Sequence, residues 1–178
     1  IMTVTDKYTE YLKTGCSDDP YKNRFLKALH YLIENTWIDN VWIVDSGDVT
    51  MLNNPFPEML PGKIYVGCET KNLLGCNWMQ TNTPVAFYKS WLKKNGDKKL
   101  LNCGLIGGSR QNIIDYLTKM FFVWGYNSAN MDLIDMLVFN VVGYEHFKDK
   151  IVYGEGLVNN IFKSKVATDE GTEWWMHK

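Results

Sequence analysis

The sequence has no long hydrophobic run, and none of its apolar stretches approaches the roughly 20 residues that a membrane-spanning helix needs. Residues 1–5 have neither the basic flank nor the long apolar stretch of a signal peptide. Position 1 is not methionine, so we expect that upstream residues are missing or that the chain is cut from a larger protein. These absences favour a protein without a membrane span.

An excess of charge of one sign is also absent. With 19 basic and 20 acidic residues, the formal net charge is −1, which argues against a broad nucleic-acid-binding surface. Cysteine is scarce, and the four cysteines form no CxxC pair and show no zinc-like spacing. We therefore expect small buried thiols and a reducing, cytoplasmic compartment.

The remaining composition is that of a globular protein, with 178 residues, 46% of them hydrophobic and 22% charged. Apolar periodicity predicts alternating helices and strands. The helices are predicted over residues 20–35, 112–122 and 130–147, and the strands over 41–44, 63–67 and 100–106. The pattern predicts one α/β domain over residues 1–178, with a mixed, mostly parallel sheet flanked by helices.

Two carboxylates follow the strand predicted at residues 41–44, with only Ser46 and Gly47 between Asp45 and Asp48. Ligands of open α/β sheets bind beyond the carboxyl ends of the strands. Gly47 relaxes the steric limits on the turn, so the two carboxylates can converge. A divalent cation would remove their mutual repulsion and could bind a diphosphate on its other face. A turn in which both carboxylates cap the next segment is an equally good interpretation.

A phosphatase of the haloacid-dehalogenase type is another alternative, because its catalytic strand also ends in two aspartates, a nucleophile and a general acid. One residue separates those aspartates, whereas two residues separate Asp45 and Asp48. No downstream lysine with an acidic pair stands out either. We therefore favour a site in which a metal ion bridges the two aspartates and a diphosphate over the active site of a phosphatase.

Several segments in register resemble glycosyltransferases of the GT-A type. After a helical segment at residues 21–27, residues 44–49 and 54–56 resemble the DxxD form of the DxD motif, as in the glycosyltransferase domain of lysyl hydroxylases. Residues 101–108 resemble the N-x-G-x-x-G strand and loop beside the donor sugar and acceptor. Residues 175–178 resemble the segment whose late histidine completes the metal site.

The resemblance implies transfer of a sugar from a nucleotide-diphosphate donor, by default UDP-glucose or another UDP-sugar, to a hydroxyl of a glycan or glycoprotein. It implies that Asp45, Asp48 and His177 bind the metal, with Asp45 also contacting the donor. Imidazole beside carboxylates favours Mn²⁺, although Mg²⁺ is compatible. A non-catalytic nucleotide-sugar or carbohydrate-binding module on the same scaffold is the main alternative.

The resemblance also implies a substrate-binding role for the segment that begins at Asn102. The Asn102 amide, at a strand end, would hydrogen-bond sugar hydroxyls, while Gly104, Gly107 and Gly108 would let the substrate approach the backbone. The same residues are compatible with a turn that starts a helix with Ser109 as its cap.

The acceptor side needs a catalytic carboxylate, and the resemblance favours Asp135, with Asp132 second and Glu69 more distant. Such a group would orient or deprotonate the acceptor hydroxyl. A helix cap and a solvated side chain are equally good interpretations of the first two. Lys22 and Arg24 precede the acidic motif on a helix and would help to neutralise phosphate, unless they only line an exposed face.

Overall fold

A computed structural model describes residues 19–126, 133–154, 158–160 and 173–177 of the chain. Its helices are α1 (Pro20–Glu34), α2 (Asn77–Thr81), α3 (Ala86–Lys94), α4 (Arg110–Tyr126) and α5 (Asp135–His146). Its strands are β1 (Asn40–Val44), β2 (Val49–Met51), β3 (Ile64–Asn72), β4 (Lys99–Ser109), β5 (Ile151–Val152), β6 (Val158–Asn160) and β7 (Trp175–His177). In these ranges no helix has the length and apolarity to cross a membrane.

Helix α1 begins where its local sequence predicts. The side chain of Asp19 accepts hydrogen bonds from the backbone N–H groups of Tyr21 (2.9 Å) and Lys22 (3.4 Å), and Pro20 occupies the first turn. One face of the helix is buried, as the apolar spacing predicts. The buried residues are Phe25, Leu26, Leu29 and Leu32.

The strands form two mixed sheets. The larger sheet has the order β1-β4-β3-β5, in which β4 is antiparallel to both neighbours and β5 is parallel to β3. The smaller sheet has the order β2-β7-β6, with one antiparallel and one parallel pair. The protein is therefore α/β, but the prediction of mostly parallel strands is wrong for the described residues. Apolar composition reports how a strand is covered, and not the direction of its neighbours.

The strand predicted at 41–44 exists but is not fully buried. Among the described residues, β1 lies at an edge of the larger sheet, and its central residues are half-buried. Its apolar run reflects contacts on both faces, because Val41 and Ile43 pack against the main core and the ring of Trp42 lies where a side chain at Gly107 would be. A short apolar run therefore did not distinguish an edge strand from a central one.

The larger sheet is covered on both faces. Along β3, Ile64 and Val66 face the main core, which contains the buried sides of α1, α4 and α5, whereas Tyr65 faces a smaller aromatic cluster. The same alternation places Ile106 and Leu105 of β4 on opposite faces. This double coverage explains why both strands read as nearly continuous apolar runs.

The C-terminal residues of the described chain form a strand that the sequence pattern did not predict. Trp174, 1% exposed, packs against Tyr65 with 5.1 Å between ring centroids. Directly after it, β7 pairs with β2 so that His177 lies opposite Val49. Aromatic burial therefore anchors the histidine beside the residue that follows Asp48.

Several predicted boundaries also shift. The strand predicted at 100–106 continues through Gly107 and Gly108 to Ser109, and the strand predicted at 63–67 extends to Asn72. The helix predicted at 112–122 is longer, and the one predicted at 130–147 begins at Asp135, with residues 127–132 outside the described residues. Helices α2 and α3 were not predicted.

Asn140 ties α5 to the sheet. Strand β1 pairs with β4 only from Leu105 to Ser109, so Leu101 lies beyond its reach. There the Asn140 amide takes the place of a strand, because Leu101 N donates to Asn140 Oδ1 and Asn140 Nδ2 donates to Leu101 O, both at 2.8 Å. Asn140 is fully buried, so this pairing satisfies backbone groups that water does not reach. It also sets the position of Asp135 at the start of the same helix.

We expect Asn140→Ala to lower the free energy of unfolding by about 2–4 kcal/mol, because it leaves a buried N–H and a buried C=O of Leu101 without partners. Urea denaturation measures this loss. Asn82→Ala is the matched control, since Asn82 is exposed and its amide, like that of Asn140, donates to a carbonyl four residues earlier. Equal losses in the two variants would contradict the role of Asn140.

Candidate metal and substrate site

The acidic motif lies where β1 leaves the larger sheet. Val44 is the last residue of β1 and pairs with Leu105. Asp45 adds one more bond, from its N–H to Gly104 O at 2.8 Å. The chain then turns through Gly47, whose φ of 93° suits glycine, and continues into β2. The two carboxylates therefore flank a tight turn beside the middle of β4.

Gly104 forms the floor of the candidate site. A Cβ at this position would lie 2.7 Å from Asp45 Oδ2, 2.8 Å from His177 Cε1 and 3.1 Å from Asn102 Oδ1. The three side chains therefore converge on the space that the missing side chain leaves open. The structure brings together residues from β4, from the acidic turn and from β7.

The imidazole of His177 is buried, with 2% of the residue exposed. Burial lowers the pKa of His177 below its usual value, although Asp45 and Asp48 act to raise it. The ring is therefore neutral at pH 7, which is the form that binds metal ions. Asp45 lies beside the imidazole at Gly104, and Asp48 directly precedes Val49, which pairs with His177.

Arg24 links two carboxylates from distant parts of the chain. Its Nη1 contacts Asp45 Oδ1, and its Nη2 lies 2.9 Å from Asp135 Oδ2 and 3.2 Å from Cys103 Sγ. Burial acts to lower the pKa of the Arg24 guanidinium, but the carboxylates of Asp45 and Asp135 leave that pKa above its usual value. Because burial raises the pKa of the Cys103 thiol well above its usual value, the thiol is neutral at pH 7. The carboxylates are therefore the charges that stabilise the guanidinium.

Asp135 is the first residue of α5, and 9% of its side chain is exposed. Its Oδ1 accepts from the N–H of Met136 at 2.7 Å, while its Oδ2 faces Arg24. A carboxylate at a helix N-terminus is favoured by the helix dipole. The second candidate, Asp132, lies outside the described residues.

Asn102 lies within β4 and not at a strand end, which corrects the prediction. It is buried, and its amide already has protein partners. Its Oδ1 accepts from Gly104 N at 2.8 Å, and its Nδ2 lies 3.5 Å from Glu69 Oε1. Asn102 therefore holds the backbone of the site floor, and Glu69 orients it. The sequence signal for the hydrogen bond from Gly104 N to Asn102 Oδ1 was that a single residue separates the two.

Gly107 and Gly108 face protein groups. A Cβ at Gly107 would overlap the Trp42 ring, and one at Gly108 would lie 3.0 Å from Lys63 O. The two glycines therefore lack side chains because the sheet packs closely at these positions. They lie three and four residues after Gly104 in the sequence. The predicted cap at Ser109 is confirmed, since its Oγ accepts from a backbone N–H three residues later at 3.3 Å.

The two basic residues predicted to neutralise phosphate have different surroundings. Arg24 joins the carboxylates of the site. Lys22 Nζ lies 3.2 Å from Asp19 Oδ2 and 6.0 Å from the centroid of the Trp124 ring. The structure therefore brings Arg24 into the site. Lys22 instead contacts residues near the start of α1.

The side chains of Asp45, Asp48 and His177 are chemically suited to bind a metal ion, but they are not arranged around a common point. In the part of the chain that the structure describes, no group of three or more His, Cys, Asp or Glu side chains is arranged to hold a metal ion. Two carboxylates and a neutral imidazole are suitable ligands for Mn²⁺. Asp45 and His177 already meet at Gly104, whereas Asp48 is exposed. Closure around a cation would therefore require Asp48 to turn inward.

Comparison with known proteins assigns no family. No protein-family model matches the chain, and no curated protein sequence is significantly similar to it. A functional interpretation therefore depends on the carboxylates, the imidazole and the guanidinium around Gly104.

We expect Gly104→Ala to displace Asp45 and His177, because its Cβ would lie under 3.0 Å from both side chains. Overpacking of this kind costs about 1–3 kcal/mol in unfolding free energy, which urea denaturation measures. The variant should also lose any stabilisation by Mn²⁺ in thermal unfolding. Gly75→Ala is the control, since its Cβ would make only an ordinary 3.6 Å contact. Mn²⁺ stabilisation that persists in Gly104→Ala would show that the Gly104 floor is not the metal site.

Proposed function

We propose that this protein is a metal-dependent glycosyltransferase of the GT-A type, which moves a sugar from a nucleotide-diphosphate donor to an acceptor hydroxyl. The main support is the convergence of Asp45, His177 and Asn102 on the open face of Gly104. Residues from three separate sequence motifs thereby share one small volume. A UDP-sugar is the first donor to test, and a glycan or glycoprotein the first acceptor.

Asp45, Asp48 and His177 would hold the divalent cation, with Mn²⁺ preferred to Mg²⁺ because of the imidazole. When bound, the cation neutralises the nucleoside diphosphate as it leaves. His177 is held by strand pairing and by the buried tryptophans before it, so little orientational freedom is lost on ligation. Its neutral ring supplies a lone pair without first losing a proton.

Arg24 supplies a second positive charge near the diphosphate. A guanidinium binds phosphate oxygens through a planar fork of N–H donors, as it binds carboxylates. The side chain is about one quarter exposed, so ligands in the site are within its reach. Asn102 acts as a positioning residue, because its amide fixes the N–H of Gly104.

Asp135 is the proposed general base. Its carboxylate has lone pairs beyond those used by Met136 N–H and Arg24. As the acceptor oxygen bonds to the anomeric carbon, its proton passes to Asp135. The bond from the anomeric carbon to the diphosphate oxygen breaks, and its electron pair leaves with the diphosphate. Arg24 holds the carboxylate in position through their ion pair.

A non-catalytic nucleotide-sugar-binding module is the second candidate. The nearly buried position of Asp135, and its contact with Arg24, favour it, because both limit access of an acceptor hydroxyl. A phosphatase is less well supported, since Asp45 contacts a guanidinium and would be a poor nucleophile. Binding without turnover, or phosphate release from a simple phosphoester, would identify these alternatives.

Nucleotide binding is tested first by thermal unfolding with UDP or GDP, each with Mn²⁺, with Mg²⁺ or with EDTA. A ligand at about 100 times its Kd adds about 2.7 kcal/mol, which raises Tm by about 5–10 °C for a chain of this size. We expect a shift that needs both nucleotide and Mn²⁺ and that disappears in Asp48→Asn. Asp97→Asn, an exposed aspartate in the turn before β4, should keep it. The absence of a nucleotide-dependent shift with any metal would reject the proposed donor site.

Turnover is tested by the release of UDP from UDP-sugars in the presence of Mn²⁺, with and without candidate glycan acceptors. We expect Asp135→Asn to reduce kcat by about 100-fold or more, because the proton acceptor is lost. The Mn²⁺-dependent nucleotide shift should remain, since Asp135 is not a metal ligand in this proposal. Undiminished release by Asp135→Asn would assign the base elsewhere, and a shift with no release at all would favour the binding module.

A further inference from the structure

Arg24 lies on the carboxylate that the proposed function assigns to the metal. Its Nη1 contacts Asp45 Oδ1, and its Nη2 contacts Asp135 Oδ2 at 2.9 Å. We propose that Arg24 is an internal cation that competes with the divalent metal for Asp45, so that metal binding releases the guanidinium towards the donor diphosphate. This inference rests on the metal site of the proposed function and adds a control on its loading.

The two oxygens of Asp45 face different partners. Oδ1 contacts Arg24, whereas Oδ2 is the oxygen directed at the space above Gly104, beside His177. A metal ion bound through Oδ2 would therefore share one carboxylate with the guanidinium. The competition is electrostatic, because Arg24 withdraws negative charge from Asp45 and repels a second cation.

The charges in the site favour such an exchange. Asp45, Asp48 and Asp135 bring three negative charges, and Arg24 balances one of them. Asp45 remains about one third exposed, so an ion from solvent can reach it. A divalent cation that closes Asp48 onto Asp45 would leave the guanidinium with Asp135 and with any phosphate that enters.

The guanidinium is able to change partners. Its Nε–H is buried without a hydrogen-bond partner among the described residues, so the present position uses only part of its donor capacity. The guanidinium carbon lies 4.5 Å from the centroid of the Phe25 ring. An aromatic surface supports a cation without fixing its direction, because it forms no directional hydrogen bond. Reorientation of Nη1 towards a phosphate would therefore exchange its contact with Asp45, while Nη2 keeps its contact with Asp135.

The test measures Mn²⁺ binding in the absence of nucleotide. The electron paramagnetic resonance signal of free Mn²⁺ reports how much of the ion is unbound. We expect Arg24→Gln to bind Mn²⁺ roughly tenfold more tightly than the unmodified chain, since one repulsive charge is removed. Lys27→Gln, which removes a positive charge from an exposed position on the same helix, should change the affinity less than about twofold. Adding Asp48→Asn to Arg24→Gln should abolish the gain. Equal or weaker binding by Arg24→Gln would overturn the competition.

Thermal unfolding separates competition from a structural role. Arg24→Gln leaves the nearly buried Asp135 without its ion pair, so its Tm without metal should fall. Its rise in Tm on adding Mn²⁺ should nevertheless exceed that of the unmodified chain. A purely structural arginine would lower Tm while leaving the Mn²⁺ increment unchanged, and this result would reject the proposal. Arg24→Lys, which keeps the charge but not the fork, should bind Mn²⁺ nearly as weakly as the unmodified chain.

The inference and the proposed function fail in different ways. If UDP with Mn²⁺ stabilises the chain but Arg24→Gln binds Mn²⁺ no more tightly, the competition is rejected and the transferase stands. If Arg24→Gln binds Mn²⁺ more tightly but no nucleotide binds, the competition stands and the transferase is rejected. Failure of both chains to bind Mn²⁺ rejects the competition together with the metal site.

Discussion

The ion pairs of Arg24 are the interaction on which the site depends. A guanidinium from α1 contacts Asp45, which follows β1, and Asp135, which begins α5. Removing it would leave a nearly buried carboxylate unpaired, which is among the costlier changes in a protein interior. Its position therefore restricts where β1 leaves the sheet and where α5 begins. Three elements that are distant in the chain meet at one charge, and the proposed chemistry is arranged around that charge.

The backbone supports this arrangement through the part of β4 that does not pair with β1. Because β1 stops opposite Leu105, the first half of β4 has an edge open to other groups. Asn140 pairs with one part of that edge, and Asp45 N–H bonds to Gly104 O beside it. The backbone groups of β4 that β1 leaves unpaired thus hold both Asn140 and Asp45 by hydrogen bonds. A site on a strand edge gains rigidity from the sheet while leaving room for a ligand.

Local sequence predicted the parts of the site that depend on neighbours in the chain. Asp19 and Pro20 specify the start of α1, and Gly47 allows the turn between the aspartates. Other parts depend on distant contacts. The direction of β4, and the central position of Asn102 within it, follow from hydrogen bonds to strands far away in sequence. Gly107 shows this limit, because the sequence alone does not distinguish a glycine that makes room for a tryptophan ring from one that makes room for a ligand.

The sequence by itself determined that an acidic pair follows an apolar strand after a capped helix, because capping, periodicity and turn chemistry act within a few residues. Only the tertiary structure decided which charges meet. It paired Arg24 with Asp45 and Asp135, paired Lys22 with Asp19, and buried His177 beside Gly104. The physical reason is that burial and ion pairing depend on packing across the whole fold, where aromatic contacts and strand order bring together residues that are far apart in the chain.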